Sequence, residues 1–141
     1  MSETNKAAVR GYIEDVMNKG QGDVSKFDKY VAADAVLHNA YPAAGSDINA
    51  WKDRVRMFAS AFTNIHVTVE DQMADGDKVV TRTVFSGTHS GVFRGIPATG
   101  RRITVDEIQI TKMKNGKVVE RWSLLDVPTM LKQIGVDRIP S

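Results

Sequence analysis

The chain of 141 residues is 42% hydrophobic and 26% charged, which is enough to bury a core, and we expect one globular domain over residues 1–141. Its formal net charge of +2 arises from 19 basic and 17 acidic residues mixed along the chain, so it lacks the basic stripe of a protein that binds nucleic acid. The sequence has no cysteine, which excludes disulfides and thiolate sites, and no signal-peptide core or membrane-length apolar run, so we expect a cytoplasmic protein without a membrane partner.

The first part of the chain has the apolar spacing of helices. An amphipathic helix is predicted over residues 2–19, ending at Gly20, and a shorter helix over residues 23–30. Residues 35–39 are predicted to form a brief strand, which ends in the turn-rich stretch 41–45.

The clearest helical pattern follows Ser46 and Asp47, either of which can cap a helix. Its apolar residues recur at alternating steps of three and four, at Ile48, Trp51, Val55, Phe58 and Phe62. The apolar period then changes to two, which predicts antiparallel strands on either side of the turn 75–77. Two further strands are predicted over residues 103–113 and 118–126, and a terminal helical turn over residues 128–133.

Helices followed by strands are typical of an α+β domain, in which helices cover one face of a curved, mostly antiparallel sheet. Such a sheet can bend into a cone that leaves a ligand pocket at its mouth. Residues 87–102 join two of the predicted strands, and the glycines of this stretch together with Pro97 predict an ordered, sharply bent crossover.

Several stretches of the chain carry a family resemblance. They are GTHSG at 87–91 with GIPATGR at 95–101, NGKVVERW at 115–122, Asp126, and LKQIG at 131–135. In this order and at this spacing they resemble the SnoaL-like polyketide cyclase (ester cyclase) family. The resemblance implies the cone-shaped nuclear-transport-factor-2-like fold, with N-terminal helices packed on one face of the sheet, and an oligomeric protein. We expect a homodimer, because the convex face of a curved sheet needs covering.

The resemblance also implies a chemistry. Polyketide cyclases of this family close a ring by a metal-free aldol condensation, in which a carboxylate takes a proton from the carbon next to a carbonyl and the enolate attacks a second carbonyl. An apolar pocket makes the carboxylate more basic by desolvating its charged form. We therefore expect no cofactor, no metal and a small hydrophobic or aromatic carbonyl ligand; no His, Asp and Glu trio has metal-ligand spacing.

The hairpin around Asn115 and Gly116 decides which side chains share a face. We favour a three-residue loop over 114–116, with a bulge at Gly116, over a two-residue loop. One face then holds Glu107, Gln109, Thr111, Val119, Arg121, Ser123 and Leu125, and the other holds Ile108, Ile110, Val118, Trp122, Leu124 and Asp126. Periodicity alone makes the polar face the solvent face, whereas the resemblance makes it the pocket face.

The candidate catalytic residues are Glu107, Asp126 and His38. In the family, the position matching Ser123 holds the acid/base aspartate, and a serine hydroxyl is far too weak a base to replace it. Glu107 lies on the same predicted face, Asp126 matches an acidic position of the ester cyclases, and His38 is placed where a side chain can enter the cone. Structural alternatives are a cross-strand ion pair of Glu107 with Arg121 and a helix cap by Asp126.

Substrate contacts are predicted at Asn39, Gln109, Ser123, Trp122, His89 and Phe93. The alternatives are that His89 orders the crossover and that the aromatic residues belong to the core. The leading functional prediction is a cofactor-free cyclase, isomerase or lyase that acts by proton transfer on a small carbonyl compound. The other predictions are a non-catalytic small-molecule-binding module, because of Ser123, and a hydrolase of an epoxide or ester in which Glu107 and Gln109 hold a water.

Overall fold

The computed structural model describes residues 2–136. Its helices are α1 (Ser2–Tyr12), α2 (Phe27–Tyr30), α3 (Ile48–Ala61) and α4 (Val127–Gln133), with a π-helical turn at Ile13–Asn18 and a 3-10 turn at Val24–Lys26. The strands are β1 (Val31–Leu37), β2 (Phe62–Asp75), β3 (Lys78–His89), β4 (Arg102–Lys114) and β5 (Lys117–Leu125). Within the described part of the chain, no helix is long and apolar enough to cross a membrane.

The strands form a five-stranded sheet in the order β1-β5-β4-β3-β2. Neighbours in β2 to β5 are antiparallel, and β1 runs parallel to β5. The helices that precede β2 in the chain cover one face of this sheet, here called the inner face, and the opposite face is the outer face. The predicted α+β class is thus confirmed. The strand predicted over residues 35–39 is shifted, because β1 begins at Val31 and ends at Leu37.

The N-terminal helix ends against β2, which is an edge strand of the sheet. Asn18 Nδ2 donates to the Val67 carbonyl at 3.0 Å, and Val67 N donates to Asn18 Oδ1 at 2.7 Å. Gln21 repeats this pairing with Ile65, at 2.7 Å to the carbonyl and 2.8 Å from the amide. Two amide side chains therefore act as hydrogen-bonding partners for the free side of β2.

Helix α3 begins as predicted, since the Asp47 side chain accepts a hydrogen bond from Ala50 N at 2.9 Å. Its buried side comprises Ala50, Trp51, Arg54, Val55, Phe58 and Ala61. Of the apolar residues that the helical period predicts, Trp51, Val55 and Phe58 lie on this side. Ile48 is only half-buried, and Phe62 is the first residue of β2. Arg54 is a charged residue on the same stripe, so α3 carries a guanidinium group toward the inner face of the sheet.

The segment between β3 and β4 is a long hairpin loop, because these strands are neighbours in the sheet. His89 is the last residue of β3 and lies before this loop. At the tip, Phe93 and Ile96 exchange backbone hydrogen bonds of 3.0 and 2.9 Å. Arg94 and Gly95 turn the chain there with φ of 49° and 81°, as a two-residue turn with positive φ requires.

The same loop is tied to the end of α3. Ser90 N and Gly91 N both donate to the Ala61 carbonyl at 3.0 Å, which satisfies a helix-end acceptor. A Cβ atom at Gly91 would lie 2.1 Å from the Ser60 carbonyl oxygen. Only glycine permits this approach, so the predicted bend has a specific packing reason.

The β4–β5 hairpin corrects the predicted loop. Asn115 and Gly116, with φ of 53° and 77°, form a two-residue turn between the paired Lys114 and Lys117. A bulge follows, because the pairing shifts between Lys112 and Met113. From Glu120 onward the extra residue gives the same alternation of faces as the predicted three-residue loop, but the pairs lie two residues further along β5. Gln109 pairs with Ser123, whereas the predicted loop would pair it with Arg121. The predicted faces therefore hold there. The prediction that Val118 shares a face with Ile108 and Trp122 is wrong, because Val118 pairs with Met113 and is buried.

Candidate functional site

The inner face of β3, β4 and β5 is lined by buried polar side chains. They are Thr81, Thr83, Glu107, Gln109, Thr111, Arg121 and Ser123. The alternate residues Ile108, Ile110 and Leu124 are exposed on the outer face, Leu124 by 76%. In the middle of β4 and at the end of β5, the usual arrangement of an antiparallel sheet, with its apolar face inside, is reversed, as the family resemblance implied. Toward the ends of β4 the inner face is apolar, with Ile103, Val105 and Met113 buried. Buried polar groups are stable only when they are paired. Arg121 pairs here with Glu107, Gln109 and Ser123. Thr83 and Thr111 donate to backbone carbonyls, and Thr81 accepts from Gln72.

Arg121 on β5 is the centre of this pairing. Its Nε donates to Gln109 Oε1 at 3.1 Å, its Nη1 to Ser123 Oγ at 3.0 Å, and its Nη2 to Glu107 Oε1 at 3.5 Å. The guanidinium also lies 5.0 Å from the centre of the Trp51 ring. Each of its three nitrogens has a partner, so Arg121 is held in one position.

Arg54 brings a second guanidinium to the same carboxylate. Its Nη2 donates to Glu107 Oε2 at 3.1 Å and its Nε to the Tyr41 carbonyl at 3.0 Å. The guanidinium lies 5.1 Å from the centre of the Phe58 ring. Its Nη1 forms no hydrogen bond with residues 2–136. Two nitrogens of Arg54, Nε and Nη2, are thus hydrogen-bonded, and Nη1 can donate to another group.

Glu107 is a buried carboxylate between two arginines. Burial alone would raise its pKa, but the charges of Arg121 and Arg54 outweigh burial and hold the pKa of Glu107 below its usual value. The predicted pairing of Glu107 with Arg121 is present, although in the interior and not at the surface. With two cations and one anion, the cluster carries a net positive charge that favours an electron-rich ligand.

A cavity adjoins this cluster. Its walls are Tyr12, Ile13, Met17, Arg54, Val55, Phe58, Val67, Phe85, Glu107, Gln109, Arg121 and Leu125. The free volume is about 30 Å³, room for about two water molecules. The Tyr12 side chain lies within this wall, and burial raises its pKa to about 12, so its phenol is a neutral hydrogen-bonding group at physiological pH.

A second, wider pocket of about 100 Å³ shares two walls with the cavity. It is lined by Asn39, Tyr41, Arg54, Leu125 and Val127. Asn39 Nδ2 donates to the Ser123 carbonyl at 3.2 Å, and Asn39 Oδ1 accepts from Tyr41 N at 3.2 Å. This outer pocket therefore adds space for a ligand larger than the cavity holds, and Arg54 stands where the two spaces meet.

The structure does not bring His38 and Trp122 to the cavity. The His38 ring is exposed and stacks on Trp122 at 4.8 Å between centres, and its Nε2 lies 2.6 Å from Glu120 Oε2. Trp122 belongs to the outer face with its cross-strand partner Ile110. The predicted inward orientation of His38 is wrong because β1 ends at Leu37, whose buried side chain takes the inner position.

Asp126 lies beyond the end of β5, where its exposed carboxylate caps α4. Asp126 Oδ1 accepts a hydrogen bond from Thr129 N at 3.2 Å, and hydrogen bonds from the side chain and backbone of Thr129 lower the pKa of Asp126. This is the helix cap that the sequence offered as the structural alternative. Its carboxylate is not among the groups that line the cavity.

His89 and Phe93 are buried beside the cavity wall rather than in it. His89 Nδ1 lies 3.0 Å from Thr99 Oγ1, and burial lowers the pKa of His89. The Phe93 ring lies 5.5 Å from the ring of Phe58 and 5.6 Å from that of Phe62. Both residues thus order the β3–β4 loop against α3, as the structural alternatives held.

Two residues of the site were not among the predicted site residues. Arg54 falls three residues after Trp51 and four before Phe58, so helical spacing does place it on the buried stripe. Tyr12 was one of several aromatic residues at core spacing, and nothing in the sequence distinguishes it from the rest. Among the described residues, no three His, Cys, Asp or Glu side chains are grouped as metal ligands.

Comparisons with known proteins agree with this geometry. A family model described as SnoaL-like polyketide cyclase matches residues 7–134. IdmH from Streptomyces antibioticus, a candidate polyketide cyclase, is 31% identical, with a TM-score of 0.81 over 94% of this chain and 99% of that chain. TsrD from Streptomyces laurentii is 27% identical, with a TM-score of 0.83 over 96% and 97%. No curated protein matches the chain.

A more distant structure supports the fold alone. AclR from Streptomyces galilaeus, a candidate hydroxylase, is 23% identical, with a TM-score of 0.85 over 99% of this chain and 100% of that chain. Its backbone agrees with this one over nearly the full length of both chains. The fold that the resemblance implied is therefore confirmed.

Proposed function

The chain belongs to the SnoaL-like polyketide cyclase family, and on this premise we propose that it is a cofactor-independent enzyme that moves a proton on a small carbonyl compound. The products of such a step include an aldol-type ring closure, an isomerisation or an elimination. The observation that carries the proposal is the buried Glu107 between Arg54 and Arg121 at the cavity wall. A base and a source of positive charge lie there on the same side of one small space.

The two arginines support the formation of an enolate. When a proton leaves the carbon next to a carbonyl, negative charge develops on the carbonyl oxygen, and fixed cations in a dry site stabilise it. The cluster has one positive charge in excess of Glu107, so it retains positive charge for the ligand. The same charge that lowers the pKa of Glu107 also makes the carbon acid stronger, so the proton transfer does not lose its driving force.

Glu107 is the residue that we propose takes the proton. It is the carboxylate on the cavity wall, while Ser123 donates or accepts a hydrogen bond beside it. Gln109 and Ser123, which both hold Arg121, position that guanidinium. We propose that Asn39, in the outer pocket, holds the segment through Tyr41 that closes one side of the entrance.

A binding module without catalysis is the second candidate, and one observation favours it. Ser123 stands at the position where the resemblance implies the acid/base aspartate, and the remaining carboxylate is paired with two cations, which weakens it as a base. In this alternative the same cavity holds a carbonyl ligand, but no proton is exchanged.

Deuterium exchange distinguishes the two candidates. A panel of aryl ketones and β-keto esters is incubated in D₂O with the protein, and loss of the α-proton signal is followed by NMR. We expect exchange above the buffer rate, and Glu107→Gln should lower it by about 100-fold or more, the usual contribution of a general base. Glu120→Gln is the matched control, since Glu120 lies by His38 outside the cavity. Probes that bind without exchange support the binding module.

We also propose that the outer face joins two copies of the chain. Ile108, Ile110, Trp122 and Leu124 form an apolar set on neighbouring strands of this face, and Ile108 is 49% exposed. Contiguous exposed apolar surface is typical of an interaction site. A second copy of the same surface matches it in chemistry, as a twofold interface requires.

A further inference from the structure

We propose that Arg54 binds an anionic oxygen pair of the ligand, a carboxylate or the enolate of a 1,3-dicarbonyl compound, and that in doing so it releases Glu107, which then holds a proton. Ligand binding and proton uptake are thereby coupled in one site. This inference shares with the proposed function only the cavity in which the ligand binds. It adds the chemical class of the ligand and the residue that binds it.

The first support is the position of Arg54. It lines both the narrow cavity and the outer pocket, so any ligand that occupies both spaces passes its guanidinium. The residue is only 9% exposed, and its Nη1 has no hydrogen-bonding partner among residues 2–136. Nη1 is not among the fully buried polar atoms without a partner, so it is open to the pocket and can donate to a ligand that enters there.

The second support is the geometry of a guanidinium. Carboxylates bind arginine through two parallel hydrogen bonds from neighbouring nitrogens, and the two oxygens of a 1,3-dicarbonyl enolate offer a similar pair. Arg54 Nε is already held by the Tyr41 carbonyl. The remaining pair is Nη1 and Nη2, and Nη2 now donates to Glu107. A two-oxygen ligand therefore competes directly with Glu107 for Nη2.

Arg121 does not compete in the same way. Its three nitrogens are bound to Gln109, Ser123 and Glu107, and it is 2% exposed. It stays with Glu107 while Arg54 turns to the ligand. Glu107 then has one cation in place of two, and a ligand anion beside it.

Both changes favour the protonated carboxyl group. Burial is the largest influence on Glu107 and favours the neutral form, and Arg54 is one of the two charges that oppose it. For a neutral carbonyl ligand, the C–H bond breaks, its electron pair moves to the oxygen on Arg54, and the proton bonds to Glu107. For a ligand that is already an anion, the proton comes from solvent. Tyr12 also lines the cavity, and it is neutral at acidic and neutral pH because burial raises its pKa to about 12.

Calorimetry with simple probes tests the inference. Acetate, benzoate and the neutral analogue benzamide are titrated into the protein in two buffers of different ionisation enthalpy, which measures protons taken up on binding. We expect benzoate to bind about tenfold or more tightly than benzamide, as for a charged hydrogen bond, with net proton uptake that grows toward acidic pH. A 1,3-diketone should show the absorbance of its enolate at a lower pH with the protein than without it.

Matched variants locate the effect. Arg54→Gln and Arg54→Lys should both lose the preference for benzoate, since Lys keeps the charge but not the two-nitrogen geometry, and circular dichroism checks their folding. Arg56→Gln is the control, because Arg56 lies on the same helix and pairs with Asp53 at the surface. Glu107→Gln should still bind benzoate but take up no proton.

The outcomes separate this inference from the proposed function. It is overturned if neither acetate nor benzoate binds, if Arg54→Lys binds benzoate like the wild type, or if benzoate binds without proton uptake. Coupled benzoate binding without deuterium exchange of any ketone would overturn the proposed enzyme alone. Exchange that needs Glu107 but shows no preference for anions would overturn the inference alone.

Discussion

Ser123 Oγ accepts a hydrogen bond from Arg121 Nη1 at 3.0 Å, so the serine hydroxyl faces a buried cation. The position to which the family resemblance assigns an acid/base aspartate is thus an inner position in this chain. Arg121 would meet a carboxylate at this position as an ion-pair partner, which offsets much of the cost of burying it.

The first prediction follows from that contact. Ser123→Asp should increase the rate of α-deuterium exchange, because it adds a second base to the cavity beside a cation that supports its ionised form. Ser123→Asn is the control of equal size without a carboxylate, and its rate should stay at or below that of the wild type. Equal rates in the two variants would mean that this position does not reach the ligand.

The second prediction concerns the arginine that holds the site together. Arg121→Met should destabilise the protein by about 3–5 kcal/mol, because Glu107 loses one cation and remains buried. Urea unfolding measures the difference, with Arg56→Met as a surface control that should change stability by about 1 kcal/mol or less. The double variant Arg121→Met with Glu107→Gln should recover part of the loss, whereas simple additivity of the two changes would contradict the pairing.

The third prediction concerns acid stability. Arg121 and Arg54 hold the pKa of folded Glu107 below the ordinary value of 4.5, so between these two values the unfolded chain binds a proton that the folded chain does not. The stabilisation is complete above pH 4.5 and is lost as the pH falls through the folded pKa. In urea unfolding at a series of pH values, Glu107→Gln should lose stability less steeply than the wild type in this window. Parallel curves would show that Glu107 is not ion-paired in solution.

The spacing of apolar residues along the chain predicts its helices and strands better than it predicts the residues of the site. Alternation along β4 and β5 separates two sets of side chains, but it is symmetric and does not say which set faces inward. The bulge after Gly116 left the predicted sets almost unchanged from Arg121 to Leu125, and the resemblance, not the pattern, indicated that the polar set is inside. A buried polar face is exceptional because every member needs a partner, and the partners come from elements distant in sequence.

The errors have local causes. His38 is misplaced because side chains alternate between the two faces of a strand, and the buried Leu37 directly before it takes the inner position. Arg54 is not among the predicted site residues because a helical pattern is identified from its apolar residues. Its spacing nevertheless places it on the buried side of α3. Its partner Glu107 lies 53 residues away, and no spacing rule connects two elements so far apart. The site is a tertiary property, while the helix and the strand that carry it are local ones.

The fourth prediction tests the outer face. Leu124→Glu should convert a dimer into a monomer at micromolar concentration, because it places a charge at the centre of an apolar interface. Sedimentation velocity measures the change. Met57→Glu is the control, since Met57 is an exposed hydrophobic residue of α3, away from this face, and should leave the assembly unchanged. If the wild-type protein is monomeric under these conditions, the proposed interface is wrong.

The pairing of Asn18 and Gln21 with β2 has a consequence for how the protein behaves in a crowded solution. An edge strand offers unpaired amide and carbonyl groups to any other extended chain, and such edges start aggregation. Here the side chains of two residues already occupy the groups of Ile65 and Val67, so another strand cannot pair with β2 at these positions. The segment that follows the first helix thus blocks edge-to-edge pairing at this part of β2.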